Sequence, residues 1–193
     1  NNSVINQKLI SVERAASELR RGGNIMITDG DQAHMITSAE LITDNRIDKF
    51  TTLSNDNPLV GLTYNRANIL KISPRSGDVA LVKIKGYMDS GVISSMADPA
   101  DDLINIMQGP FQVSDSKPVK IHDAGIKLCK IAKLLPAAVF SGPIENWHAL
   151  AAQNNLLCLD AGDILNHTIR EALSLNIITS AKVPLAGAEN ATM

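Results

Sequence analysis

Five short apolar runs, interleaved with stretches of helical periodicity, restrict this chain to a fold that mixes strands and helices. Ile25-Met26-Ile27 follows the Gly22-Gly23 pair, and residues 59–63 (LVGLT), 78–85 (DVALVKIK), 137–140 (AAVF) and 156–159 (LLCL) are strand candidates. Between them, Val12, Ala15, Ala16 and Leu19 form a helical stripe, with Ser11 as its cap and Gly22 as its stop. A second helix over 122–134 sets Ile126, Cys129, Ile131 and Leu134 against a solvated face of Lys127, Lys130 and Lys133, and ends at Leu135-Pro136. Further helices are predicted over 147–153 and 160–167. The fold class is α+β (mixed α/β): a mixed sheet with surrounding helices.

With 193 residues, the chain fits one domain with a tail and can bury a substantial core. A net charge of −2 and only short Lys/Arg clusters argue against nucleic acid as a partner. No apolar run reaches the roughly 20 residues that a membrane span requires, and the start lacks a basic region followed by a hydrophobic one, so a cytoplasmic location is expected. Cys129 and Cys158 lie in apolar surroundings without Cys-x-x-Cys spacing and read as buried reduced thiols. Lys83 and Lys85 read as one solvated strand face rather than a phosphate site. His34, in what reads as a mobile stub, and His148 and His167, in helices without a partner at metal-binding spacing, read as surface or packing residues.

The passage from Asn24 to Thr43, NIMITDGDQAHMITSAELIT, joins an apolar strand to an Asp/Gly turn and then to Ser38-Ala39-Glu40-Leu41, the expected start of another element. With the preceding VERAASELRRGG, it resembles the opening of the 3,4-dihydroxy-2-butanone 4-phosphate synthase family, riboflavin-pathway enzymes that act on ribulose 5-phosphate. In that family an acidic loop of the form DDEDRENEGD lies between strand and Ala-Glu pair, carrying the magnesium-binding glutamate. Here Asp29-Gly30-Asp31-Gln32 runs straight into Ala33-His34-Met35, and the RENEGD portion has no counterpart.

The resemblance continues to about residue 167. IKLCKIAKLLPAAVF is similar to the segment that a GHTEA motif opens, and LLCLDAGDILNH to the closing strand and helix. One register sets Asp123 at the family's catalytic glutamate and Ile121 at its metal-binding histidine; the other matches His122 to the histidine and leaves Ala124 opposite the glutamate. The TTGISAADR segment corresponds to residues 89–98, which makes Ser90 and Asp98 the candidate substrate-binding residues, with Pro99 in place of the arginine. The RPGHVFPLRA loop falls on residues 108–119, where QGPFQVSDSKPV has neither the histidine nor the arginines.

Two expectations follow from the resemblance. One is a non-catalytic synthase-like domain over residues 1–175, with 176–193 a linker or the start of a GTP cyclohydrolase II domain that ITSAKVPLAGAENATM resembles; it needs no cofactor. The other is an active synthase in which Asp29, Asp31, His122 and Asp123 supply replacement ligands to magnesium. The Asp-Gly turn around Asp29 and Asp31 is explained by backbone geometry alone. The family also implies a homodimer with its sites near the interface.

Overall fold

A computed structural model describes the backbone of residues 2–74, 77–103, 105 and 109–188, and the surroundings of side chains as far as residue 181. Six strands form one mixed sheet in the order β4-β3-β5-β2-β1-β6: β1 (Asn24–Asp29), β2 (Gln32–Ser38), β3 (Leu59–Thr63), β4 (Val79–Lys83), β5 (Ala137–Phe140) and β6 (Cys158–Asp160). β1 and β6 are parallel, and the other neighbours are antiparallel. The described helices are α1 (Asn2–Arg20), α2 (Asp44–Ser54), α3 (Tyr64–Ile69), α4 (Ser90–Ala97), α5 (Lys120–Ile131), α6 (Trp147–Gln153), α7 (Ala161–Leu165) and α8 (His167–Ala188). The α+β class and mixed sheet expected from the sequence are what the structure has.

Both faces of the sheet are covered. On one face α1, α5 and α7 pack over Ile25, Ile27, Ile36, Leu81 and Phe140. On the other, α2, α3, α4 and α6 pack over Met26, Met35, Val60, Leu62 and Val139. Double coverage explains why β4 is buried along Val79–Val82 and does not alternate, as strands covered on both faces read as continuous apolar runs.

The same effect hid β2. Six of its seven residues are buried, so QAHMITS carries no alternation, and the segment read as a stub is a full strand in the sheet interior. Gly30, at φ +59°, is the first residue of a two-residue hairpin loop, Gly30-Asp31, that closes β1 onto β2 with Asp29 opposite Gln32. The chain after Ser38 turns, and the next element, α2, begins only at Asp44.

Other boundaries also move. α1 begins at Asn2, so Ser11 is not its cap; its hydroxyl bonds back to the Gln7 carbonyl at 2.9 Å. The expected stripe of Val12, Ala15, Ala16 and Leu19 is buried, and Gly22, at φ +75°, turns the chain after the helix. α5 ends at Ile131, where Lys133 takes a left-handed conformation at φ +61°, before the proline acts. On its polar face, Lys127 is half-buried with its ammonium on the Leu165 carbonyl at 2.7 Å. Cys129 is buried, but Cys158 is exposed because β6 is a three-residue edge strand. The tail from 176 continues α8 through Ala188, and residues 189–193 lie outside the described part.

Phe140 locks α5 to the sheet. A Cβ at Gly125 of α5 would come within 2.5 Å of the Phe140 ring and of Ile36 Cδ1, and one at Gly61 of β3 within 2.6 Å of the same ring. The ring is fully buried and has nowhere to move. Gly125→Ala is therefore expected to cost about 1–3 kcal/mol of stability by overpacking, measured by urea denaturation. Gly86→Ala, at an exposed site with nothing within 4 Å, should stay within about 0.5 kcal/mol of the parent.

Candidate functional site

Where the N-terminus of α5 meets β2 and the end of β5, a cleft of about 750 Å³ opens, lined by His34, His122, Ser141, Lys83, Lys85 and Lys117. The β1–β2 register sets His34 opposite Ile27, so its ring points to the α5 face of the sheet. His122, in the first turn of α5, meets it there, with ring centroids 5.5 Å apart and planes inclined by 57°. The other flank of His122 rests edge-on against Phe140, centroids 4.8 Å apart.

Hydrogen bonds fix both tautomers. His34 Nδ1 lies 2.8 Å from the Ser141 carbonyl oxygen, which can only accept, so Nδ1 carries the proton and Nε2 keeps its lone pair. His122 Nδ1 accepts the Val119 backbone N–H at 2.9 Å, so the proton of the neutral ring sits on Nε2. Ser141 completes the support, its hydroxyl accepting the Met35 N–H at 2.9 Å and donating to the Gly142 carbonyl at 2.8 Å.

Burial lowers the pKa of His34, against the opposing effect of the Ser141 bond. His122 is pushed down to about 4, first by burial and then by the neighbouring His34. Protonating Nδ1 of His122 would also forfeit the bond from Val119. Both imidazoles are therefore neutral at pH 7, one offering an acceptor at Nε2 and the other a donor.

The predicted site residues are distributed around this cleft rather than gathered in it. His122 lines it. Asp123, the next residue, lines a separate recess of about 770 Å³ with Asp78, Lys127 and Lys130; burial, and then Asp78, raises its pKa. Asp29, at the end of β1, faces Lys120 at 3.6 Å, and Asp31 is exposed on the hairpin tip. Ser90 begins α4, its N–H bonded to Asp44 Oδ1 at 2.7 Å, and Asp98 caps the following turn by accepting the Ala100 N–H at 2.9 Å. Neither lines the cleft.

His34 was read from sequence as a surface or packing residue, Ser141 and Lys117 were not singled out, and Lys83 and Lys85 reach the cleft although a solvated face was expected. In the segment matched to the RPGHVFPLRA loop, residues 112–114 run along β4, with Lys83 N–H on the Gln112 carbonyl at 2.8 Å and Ser114 N–H on the Leu81 carbonyl at 2.7 Å, and Ser114 and Lys117 line the cleft. Gln108 lies outside the described residues. The one available signal was Gly30-Asp31 as a hairpin turn, which would have made His34 a strand residue.

Magnesium requires several hard oxygen ligands in near-octahedral array. The two described carboxylates that line the cleft are already engaged, Asp56 by the Asn57 N–H at 2.8 Å and Asp115 by the Lys83 ammonium at 2.7 Å, while Asp29 faces Lys120 and Asp123 opens on the other recess. The residues present do not fit that ion.

The backbone bears comparison with solved structures on these terms. It matches a 3,4-dihydroxy-2-butanone 4-phosphate synthase in complex with two magnesium ions with a TM-score of 0.64 at 16% identity, over 81% of this chain and 95% of that one. The fold is that of the 3,4-dihydroxy-2-butanone 4-phosphate synthases. A two-domain synthase of this kind from A. baumannii matches with a TM-score of 0.62 at 14% identity, over 81% of this chain and 57% of that one. In sequence, the chain is 26% identical over 190 residues to a GTP cyclohydrolase-2 from Azospirillum brasilense, covering 95% of this chain. It spans about half, 49%, of that curated relative. No protein-family model matches the chain. Among the described residues, no helix of this synthase fold is long and apolar enough to cross a membrane.

The neutral histidine makes stability pH-dependent in a defined direction. Unfolded, His122 titrates at 6.5; folded, at about 4. As pH falls through that window the unfolded chain takes up a proton that the folded chain refuses, so stability is lost, by about 3 kcal/mol in all from this residue. Above pH 6.5 the effect vanishes. In His122→Asn, which keeps an acceptor for Val119, urea denaturation between pH 7 and 4 should show a clearly smaller loss.

Proposed function

We propose that this chain is a synthase-fold domain of a riboflavin-biosynthesis protein that has lost 3,4-dihydroxy-2-butanone 4-phosphate synthase catalysis. On this reading it serves in the cytoplasm as a dimerising, supporting domain joined to a GTP cyclohydrolase II. The observation that carries the reading is the Gly30-Asp31 hairpin, which leaves no room for an acidic loop at the mouth of a cleft occupied by two neutral imidazoles. Carbon-skeleton rearrangement of a sugar phosphate needs groups that take up and release protons beside a charge-stabilising ion. With Asp29 turned to Lys120 and Asp123 in a different recess, the carboxylates that the resemblance offers for that work are dispersed. The partial span of the cyclohydrolase relative supports a role beside a second domain.

Incubation of the purified protein with ribulose 5-phosphate and Mg²⁺, with formate and the four-carbon phosphate as readout, should give a rate more than about 10⁴-fold below that of an intact synthase, because each acid–base group alone supplies 10²–10⁴. Turnover near the rate of an intact synthase would instead establish replacement ligands. Light scattering should give twice the chain mass; a monomer would remove the dimerising role.

A further inference from the structure

Outside the cleft that the histidine pair lines, the first and last described helices meet through three metal-competent side chains. Glu13 of α1 and His167 and Glu171 of α8 bring one carboxylate oxygen, one imidazole nitrogen and a second carboxylate oxygen within 4.8 Å of one another. His167 and Glu171 stand four residues apart, on one helix face. The imidazole is 3% exposed, while the carboxylate side chains are 55% and 54% exposed. The nitrogen is thus held rigidly and its partners reach solvent.

We propose that Glu13, His167 and Glu171 bind a divalent transition-metal ion of the zinc class, which staples α8 to α1. His167 Nε2 lies 3.4 Å from Glu13 Oε1 and 3.5 Å from Glu171 Oε1. Charge-assisted N–H···O bonds settle at about 2.7–2.9 Å, and one N–H cannot point at two carboxylates. A tetrahedral ion with bonds of about 2.1 Å holds its ligand atoms roughly 3.4 Å apart, which is the separation seen on both sides. One nitrogen and two oxygens leave a fourth position for water on the exposed side. The almost fully buried ring turns its Nε2 edge to both acids, while its Nδ1 has no hydrogen-bond partner among the described residues, so packing and the Nε2 side set its orientation.

Lysines and an arginine line the same recess, and they set the affinity. Arg20 is turned to the Ala132 carbonyl and the Ser17 hydroxyl, and Lys127 to the Leu165 carbonyl, which leaves Lys130 and Lys133 as the opposing charges. The site does not depend on the state of the synthase cleft, since none of its residues lines that cleft.

The test is isothermal titration of chelator-stripped protein with Zn²⁺, carried out on Cys158→Ser to remove the exposed thiol. One equivalent should bind with Kd below about 10 µM, and Glu13→Gln and Glu171→Gln should each weaken it at least tenfold. Both substitutions are at exposed positions and leave the buried His167 in place, so folding is not at issue. Zn²⁺ should also raise the Tm of the parent and not of the Glu13→Gln, Glu171→Gln double variant. Failure of the parent to take up one equivalent, or undiminished binding in the double variant, overturns the site and leaves a histidine paired only with carboxylates.

Discussion

The aromatic slot around Phe140 is the constraint on which this structure rests. Two glycines on different elements, Gly61 in β3 and Gly125 in α5, give up their side chains to one ring on β5. The ring thereby fixes how closely α5 can lie on the sheet, and α5 carries His122. A helix set further out would separate His122 from both Phe140 and His34. Core packing and the chemistry of the cleft are consequently one problem: the bulky ring that fills the first layer also holds the imidazole and excludes water from it.

Burial then decides what that imidazole can do. An imidazole beside a carboxylate and a metal ion is stabilised in whatever protonation state the neighbours demand; an imidazole between a phenyl ring and a second imidazole is held neutral. The His34 and His122 tautomers are complementary, with a bare nitrogen on one and an N–H on the other, and both are fixed by backbone groups that cannot titrate. Around them stand Lys83, Lys85 and Lys117 together with the carboxylates of Asp56 and Asp115, and Lys83 is paired with Asp115.

How much of this was legible in the sequence depended on which faces of each element are covered. The α1 stripe was readable because its apolar residues follow the helical period and stop at Gly22, and β3 and β5 because LVGLT and AAVF are short continuous apolar runs. β2 was not, since burial on both faces erased its alternation and placed a histidine where a strand pattern would call for an aliphatic residue. α4 was invisible as a helix because its eight residues, SGVISSMA, hold little periodicity and are capped by Asp89, which had been taken as part of a substrate segment. The site itself failed to appear for a different reason. His34 and His122 are 88 positions apart in sequence, and only the hairpin register and the Phe140 slot make them neighbours. The Glu13–His167–Glu171 group shares that character: its Glu171 was in plain view at helical spacing, but Glu13 is supplied by the far end of the chain.

The cleft is built on two neutral, oppositely protonated histidines. Long-range ¹H–¹⁵N correlation of the histidine side chains between pH 8 and 4 observes it directly. His34 should show the Nδ1–H tautomer and His122 the Nε2–H tautomer, both titrating below 6.5 with His122 the lower. Reversed tautomers, or a charged imidazolium at either residue at pH 7, would contradict the account.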